Sequence, residues 1–205
     1  MILLTFSSLA LGTAAGWLLF PLSERDPSTT LPRSWRMPTA AFTGILCGLL
    51  AWRIGPSWDL VVFLVLPLFG VLLGAIDLRT RLLPNALVMP FLLLTVLLML
   101  PVAGFEAGWS ALMGALVGGA SMFVIYLILA LISPSGIGMG DVKLAGVLGM
   151  YGGYAGFLPW AVMLLGGFIL GGVVGIALLF GGASRQSAFP FGPPMLAAAV
   201  VAMLA

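Results

Sequence analysis

At 205 residues, with 62% hydrophobic and 7% charged side chains, the chain has too few ionisable groups for a water-soluble globule, in which they make up about a quarter of the residues. It reads as an all-α polytopic transmembrane helix bundle. A net charge of +2 from eight cations and six acids, scattered along the sequence, excludes a nucleic-acid surface and leaves the lipid bilayer as the first partner.

Charge, proline and glycine divide the chain into about eight spans. The first, residues 1 to 20, lacks a basic leading segment and a small-residue cleavage site, so it is expected to stay in the protein rather than be removed as a signal. From Ser23 to Pro38 a polar segment carries Glu24, Arg25, Asp26, Arg33 and Arg36 and reads as a plain connector. The second run, residues 39 to 52, contains the single cysteine, Cys47. One cysteine makes no intrachain disulfide and no thiolate zinc cluster, and in this setting it reads as a small packing residue.

The third run, residues 60 to 76, meets Asp77 in the segment Ile76-Asp77-Leu78-Arg79-Thr80-Arg81-Leu82-Leu83-Pro84-Asn85. As a helix it would be about 26 Å long, slightly less than the hydrocarbon thickness, which sets Asp77 at or just inside the interface. Runs at 86 to 103 and 109 to 133 follow. Pro134, Gly136, Gly138 and Gly140 then interrupt the helix pattern, so Asp141 is expected on a loop feeding the span at 142 to 158. The last runs are 160 to 181 and 189 to 205. Gly167, Gly171 and Gly175 recur at four-residue spacing, a pattern that admits a neighbouring helix. Trp17, Trp52, Trp58, Trp109 and Trp160 fall at span ends, where indoles sit among headgroups.

Alternating crossings put Arg25, Arg33, Arg36, Arg79, Arg81, Lys143 and Arg185 on one side and leave Arg53 on the other. By the positive-inside rule the cation-rich side is cytoplasmic and both ends of the sequence lie outside. Asp77 and Asp141, separated by two crossings, return to the same cytoplasmic face.

Acids set so close to apolar spans suggest function. The sequence has no histidine, which removes the paired-histidine zinc proteases and the Ser-His hydrolases. Two aspartates brought together can hydrolyse a peptide. One stays ionised and takes a proton from water while the other stays protonated and donates to the carbonyl, a division that like charges at close range enforce. The resulting titration belongs to the pair. Glycines ahead of Asp141 would leave space for a substrate backbone. The residues alone leave a second reading open, in which Asp77 pairs with Arg79 or Arg81 and Asp141 with Lys143 as surface ion pairs.

Three blocks carry a resemblance. Gly138-Met139-Gly140-Asp141, continued by Val142-Lys143-Leu144, resembles the signature of the GxGD membrane aspartyl proteases and, in its extended form, that of the type IV prepilin peptidases. Asp77 followed by Pro84-Asn85 is similar to that family's first catalytic block, and Phe189-Pro190-Phe191-Gly192-Pro193 to its C-terminal one. The three lie in the family's order across most of residues 70 to 205. The resemblance implies a membrane endopeptidase of the prokaryotic plasma (inner) membrane. It would cut the basic leader from type IV prepilin or pseudopilin precursors at the cytoplasmic face, with Asp77 and Asp141 as the catalytic dyad and no cofactor or metal. Residues 60–205 would be the peptidase core and 1–59 N-terminal spans with a reduced cytoplasmic loop, together one integral membrane domain.

The sequence departs from the resemblance between Pro21 and Pro38. Many bacterial members carry there a domain with paired Cys-x-x-Cys motifs associated with methyl transfer, whereas this stretch is short and has no cysteine. That implies a peptidase-only form without a metal there, similar to shorter members that serve Flp-type, actinobacterial or archaeal pilus systems. Among the supporting residues, Gly138 and Gly140 would admit substrate and Pro84 and Asn85 would shape the loop presenting Asp77, or simply begin a helix. Lys143 would orient an acid or a carbonyl, or snorkel to headgroups.

Two rival functions use the same residues. A proton- or ion-coupled carrier would employ the acids as relay groups, though carriers place them near mid-depth between broken helices. A Ser-Lys peptidase would pair Ser133 or Ser135 with Lys143 and need no aspartate.

Overall fold

The structure is a computed structural model that describes residues 1–133, 136–180 and 190–205. Among these residues the chain forms eight α-helices: α1 (Ile2–Leu19), α2 (Arg36–Ile54), α3 (Trp58–Thr80), α4 (Asn85–Val102), α5 (Gly108–Ile132), α6 (Met139–Ala155), α7 (Phe157–Phe180) and α8 (Gly192–Leu204). In hydrocarbon a backbone amide finds no water, so an apolar run closes its own hydrogen bonds as helix. Five helical stretches are long and apolar enough to cross a bilayer: Ile2–Glu24, Arg33–Ile54, Trp58–Thr80, Asn85–Ile132 and Phe157–Ala177. The fourth contains both α4 and α5, joined by a π-helical turn over Ala103–Ala107 where the chain reverses. The protein is an all-α polytopic membrane bundle.

Neighbouring helices alternate in direction, and the core lies around α3 and α6. From α3 come Val62, Leu66, Leu73 and Ile76, and from α6 Val142, Leu144, Leu148 and Tyr151, all fully or almost fully buried. The closest helix pair is α5 with α6. Gly114 and Gly118 meet Gly153 and Gly149 backbone to backbone, and a methyl at any of the four would collide with the facing main chain. Small residues let two helices approach until dispersion contacts are made by the backbones themselves. The spacing seen in the sequence at Gly167, Gly171 and Gly175 does something different. Gly167 and Gly171 make room for the side chains of Tyr126 and Phe191, and nothing lies near Gly175.

The connector after α1 is built, not strung. Three short 3-10 turns, Phe20–Glu24, Pro27–Thr29 and Arg33–Trp35, bury Phe20 and Leu31 in the core. The Ser23 hydroxyl donates to the Phe20 carbonyl, and that of Thr29 donates to the Ser23 carbonyl. The sequence reading of a plain linker is corrected here: Phe20 just before the polar segment and Leu31 inside it anchor it. Asp26 caps the second turn, accepting from the Ser28 amide (2.9 Å) and hydroxyl (2.8 Å), and these donors hold its carboxyl below the usual range.

Trp160 also departs from expectation. Trp52, Trp58 and Trp109 are exposed, as headgroup anchors should be, but the Trp160 indole N–H donates to the Gly118 carbonyl at 3.1 Å. Gly118 has no side chain to cover that carbonyl, so a ring from α7 reaches it. Cys47 is buried against Gly12 in the contact between α1 and α2. Arg185, Phe189, Pro134 and Ser135 lie outside the described residues.

Candidate active site

Asp77 and Asp141 lie at one end of the bundle, but each belongs to a helix. The α3 helix runs a turn past the expected stop, to Thr80, so Asp77 sits in its last turns, 3% exposed. Arg81 closes α3 in a left-handed conformation (φ 57°), its amide donating to the Asp77 carbonyl at 2.8 Å. The main chain of Asp77 thus ends the helix while its side chain turns inward.

Asp141 is likewise on a helix, a correction of the loop expected from the glycines. The α6 helix begins at Met139, and the Asp141 Oδ2 accepts the Gly138 amide at 3.0 Å. A carboxylate three residues past the N-cap that reaches back to the cap's amide satisfies one of the donors a helix start leaves open, and this bond lets the helix begin amid glycines.

Each acid is therefore held by a glycine amide. For Asp77 the donor is Gly192, the first residue of α8, whose N–H reaches Oδ2 at 2.9 Å. A Cβ at position 192 would lie 2.8 Å from that oxygen, so only glycine permits the approach. The sequence marked Gly192 as part of a landmark and gave it no task; its task is to seat Asp77. Among the described residues neither acid is ion-paired to Arg79, Arg81 or Lys143, and the charge of Asp141 reaches Asp77.

The other residues singled out in the sequence collect around the acids in a different way. The Lys143 ammonium donates to the Asn85 Oδ1 at 2.8 Å, joining the starts of α6 and α4. Pro84 is the N-cap of α4, its carbonyl accepting the Leu87 and Val88 amides. Gly140 does not leave space for a substrate: a Cβ there would lie 2.8 Å from the Leu83 side chain, which fills it. The space beside Gly138 faces the Asp141 carboxylate itself. Gly140 lets the start of α6 close onto Leu83 in the loop after α3.

One residue near the acids carried no signal that the sequence reading used. Tyr126 of α5 is fully buried and its hydroxyl has no hydrogen-bond partner among the described residues. It packs face to face on Phe168 (ring centroids 5.1 Å apart) and edge-on to Phe191 (6.1 Å). An apolar groove of about 490 Å³ opens between α2, α3 and α8, lined among others by Phe42, Gly70, Gly74, Leu78 and Pro193. Leu78 and Pro193 are the chain neighbours of Asp77 and Gly192, but neither acid lines the groove.

Two carboxylates at one end of the bundle, each with one oxygen on a main-chain donor, suit proton transfer to and from a water and a carbonyl. The arrangement offers no support to a carrier, whose acids would sit at mid-depth. It gives none to a Ser-Lys pair either, because Lys143 is engaged by Asn85.

Comparison with known proteins gives the family of the chain. The family described as the type IV leader peptidase family matches residues 64–176, a stretch that contains both acids. The prepilin leader peptidase/N-methyltransferase of Xanthomonas campestris pv. campestris is 37% identical over 153 residues, which are 74% of this chain and 52% of that protein. Its namesake in Stutzerimonas stutzeri is 34% identical over 163 residues, 78% of this chain and 55% of that one. The leader peptidase HopD of Escherichia coli is 36% identical over 133 residues, 64% of this chain and 84% of that one. The chain spans about half the length of the first two. No solved structure matches. With more than half of its length matched by the family and the site lying inside that stretch, the chain belongs to the type IV leader peptidase family.

Proposed function

We propose that the protein is a prepilin-type aspartyl endopeptidase in which Asp77 and Asp141 act as the dyad. The observation that carries the reading is the placement of two glycine-held carboxylates at one end of the bundle, with the charge of Asp141 felt at Asp77. As substrate closes the site, the ionised member takes a proton from water as its oxygen bonds to the scissile carbonyl carbon. The protonated member gives its proton to the carbonyl oxygen. When the C–N bond breaks, the proton gained from water passes to the departing amine, and the second carboxyl recovers its own from the collapsing intermediate.

The substrates are type IV prepilin or pseudopilin precursors, cut where a basic leader meets a hydrophobic helix. The apolar groove between α2, α3 and α8 suits the hydrophobic part, and the seven-to-one distribution of cations supports a cytoplasmic position for the acids at the plasma (inner) membrane. The built but cysteine-free connector supports a peptidase without methyl transfer. In this reading residues 60–205 are the catalytic core, and Lys143 with Asn85 fixes the loop between α3 and α4 against α6.

The test is leader removal from a pilin precursor by protein purified into vesicles, read by product mass. Asp77→Asn and Asp141→Asn should each abolish cleavage while accumulating and melting like the parent. Cleavage retained by either variant excludes the dyad, and an added methyl on the product overturns the peptidase-only part.

A further inference from the structure

We infer that Tyr126 is a positioning residue for the dyad: its hydroxyl, unpartnered at rest among the described residues, donates to the oxygen of Asp141 that no main-chain amide holds once substrate closes the site. The inference rests on the reading of Asp77 and Asp141 as a hydrolytic pair. What Tyr126 faces follows from the register of α5 on α6. Gly114 meets Gly153 and Gly118 meets Gly149, so a four-residue step along α5 answers a four-residue step back along α6. Further along, Phe123 packs its Cβ on Gly146, continuing the antiparallel run. Two steps beyond Gly118 stands Tyr126, and two steps before Gly149 stands Asp141. The charge of Asp141 accordingly falls on the Tyr126 hydroxyl.

Both groups have unused capacity. The hydroxyl is buried without a partner among the described residues, a costly state for a polar group. The carboxylate has one oxygen on the Gly138 amide and its other oxygen without a donor there. Gly167 clears the space the hydroxyl occupies, since a Cβ at that position would lie 3.1 Å from it. Phe191, on which the ring rests, immediately precedes the glycine that seats Asp77. One side chain therefore bears on the supports of both acids. Among the described residues nothing else ionisable competes: α4, α7 and α8 have no titratable residue, Tyr126 is the one on α5, and the charges facing the pair are Asp77 and Arg81 from α3 and Lys143 from α6. A donor on the outer oxygen fixes the plane of the carboxylate, which sets the direction from which water is deprotonated.

Tyr126→Phe keeps the ring and removes only the oxygen; Tyr126→Leu removes both. In the vesicle cleavage assay, Tyr126→Phe should lower kcat about tenfold with KM changed less than about twofold, the signature of a contact made in the transition state. Its melting temperature should match the parent or exceed it, because the variant deletes an unpartnered polar atom. Parental kcat in Tyr126→Phe, with loss confined to Tyr126→Leu, overturns the inference and leaves ring packing alone. A lower melting temperature with kcat and KM altered together also overturns it, in favour of a structural hydroxyl. These results bear on Tyr126 when the parent cleaves and the two asparagine variants do not; a parent that fails to cleave overturns the dyad and this inference together.

Discussion

The two ends of α6 use the same kinds of group to opposite effect. At the end remote from the acids, the Tyr151 hydroxyl meets Thr95 Oγ1 at 2.9 Å and donates to the Val62 carbonyl, Tyr154 donates to Asp59 at 2.7 Å, and Glu106 accepts the Trp58 amide at 2.8 Å. Tyrosine and carboxylate are paired there and those pairs are closed, the Ser57 hydroxyl beside Trp58 being the one buried side-chain group without a partner among the described residues at that end. At the other end, the same residue types stand near one another with valences free: Tyr126 has no partner among the described residues and each acid has one donor. Buried polar groups that are fully satisfied rigidify a core, while those left short of partners are kept for something that arrives later. In the proposed function, one end of the helix is scaffold and the other is the site.

The comparison can be broken most sharply at Gly192. Gly192→Val forces a side chain into the carboxylate of Asp77, and displacement of a reacting group by about 1 Å costs on the order of 100-fold in rate. Leader cleavage should fall at least that far in the mass assay, while circular dichroism of the reconstituted protein stays helical. Tyr151→Phe probes the closed end. It deletes a buried hydrogen bond worth about 1 kcal/mol, so thermal unfolding in detergent should start lower while kcat is unchanged, the reverse of the pattern expected for Tyr126→Phe. The smallest effect belongs to the connector. Asp26 is held below the usual carboxylate range by its two bonds to Ser28. Its folded value lies under its unfolded one, so its contribution is present above the ordinary range and fades as pH falls through it. Asp26→Ala should lower the melting temperature slightly near neutral pH, by less than Tyr151→Phe does, and not at all in strong acid.

Much of the architecture was legible because lipid simplifies the code. An apolar run must become helix, and the breaks at Pro84, Gly108, Gly138 and Gly156 separate helices whose ends differ from expectation by a few residues. The places misread were those where side-chain bonding outvotes local preference. Glycines around Asp141 argue for a loop, and the carboxylate's own bond to Gly138 makes a helix start of it. Four-residue glycine spacing was noticed on α7, while the backbone contact is made by Gly114, Gly118, Gly149 and Gly153, because spacing reports that a helix can be approached and not which neighbour approaches. The acids themselves stood out by charge. Gly192 and Tyr126 did not, since an amide donor and an idle hydroxyl become visible only when distant segments are set side by side.

The donors that seat the acids are main-chain amides. Short of proline, which has no amide hydrogen, no substitution deletes such a donor; it can only bend the path of the chain that carries it. The resting poise of the pair is thus insulated from side-chain changes that leave the two glycines in place. An inhibitor that exploited those two amide bonds would meet resistance only through changes that misplace the protein's own acids.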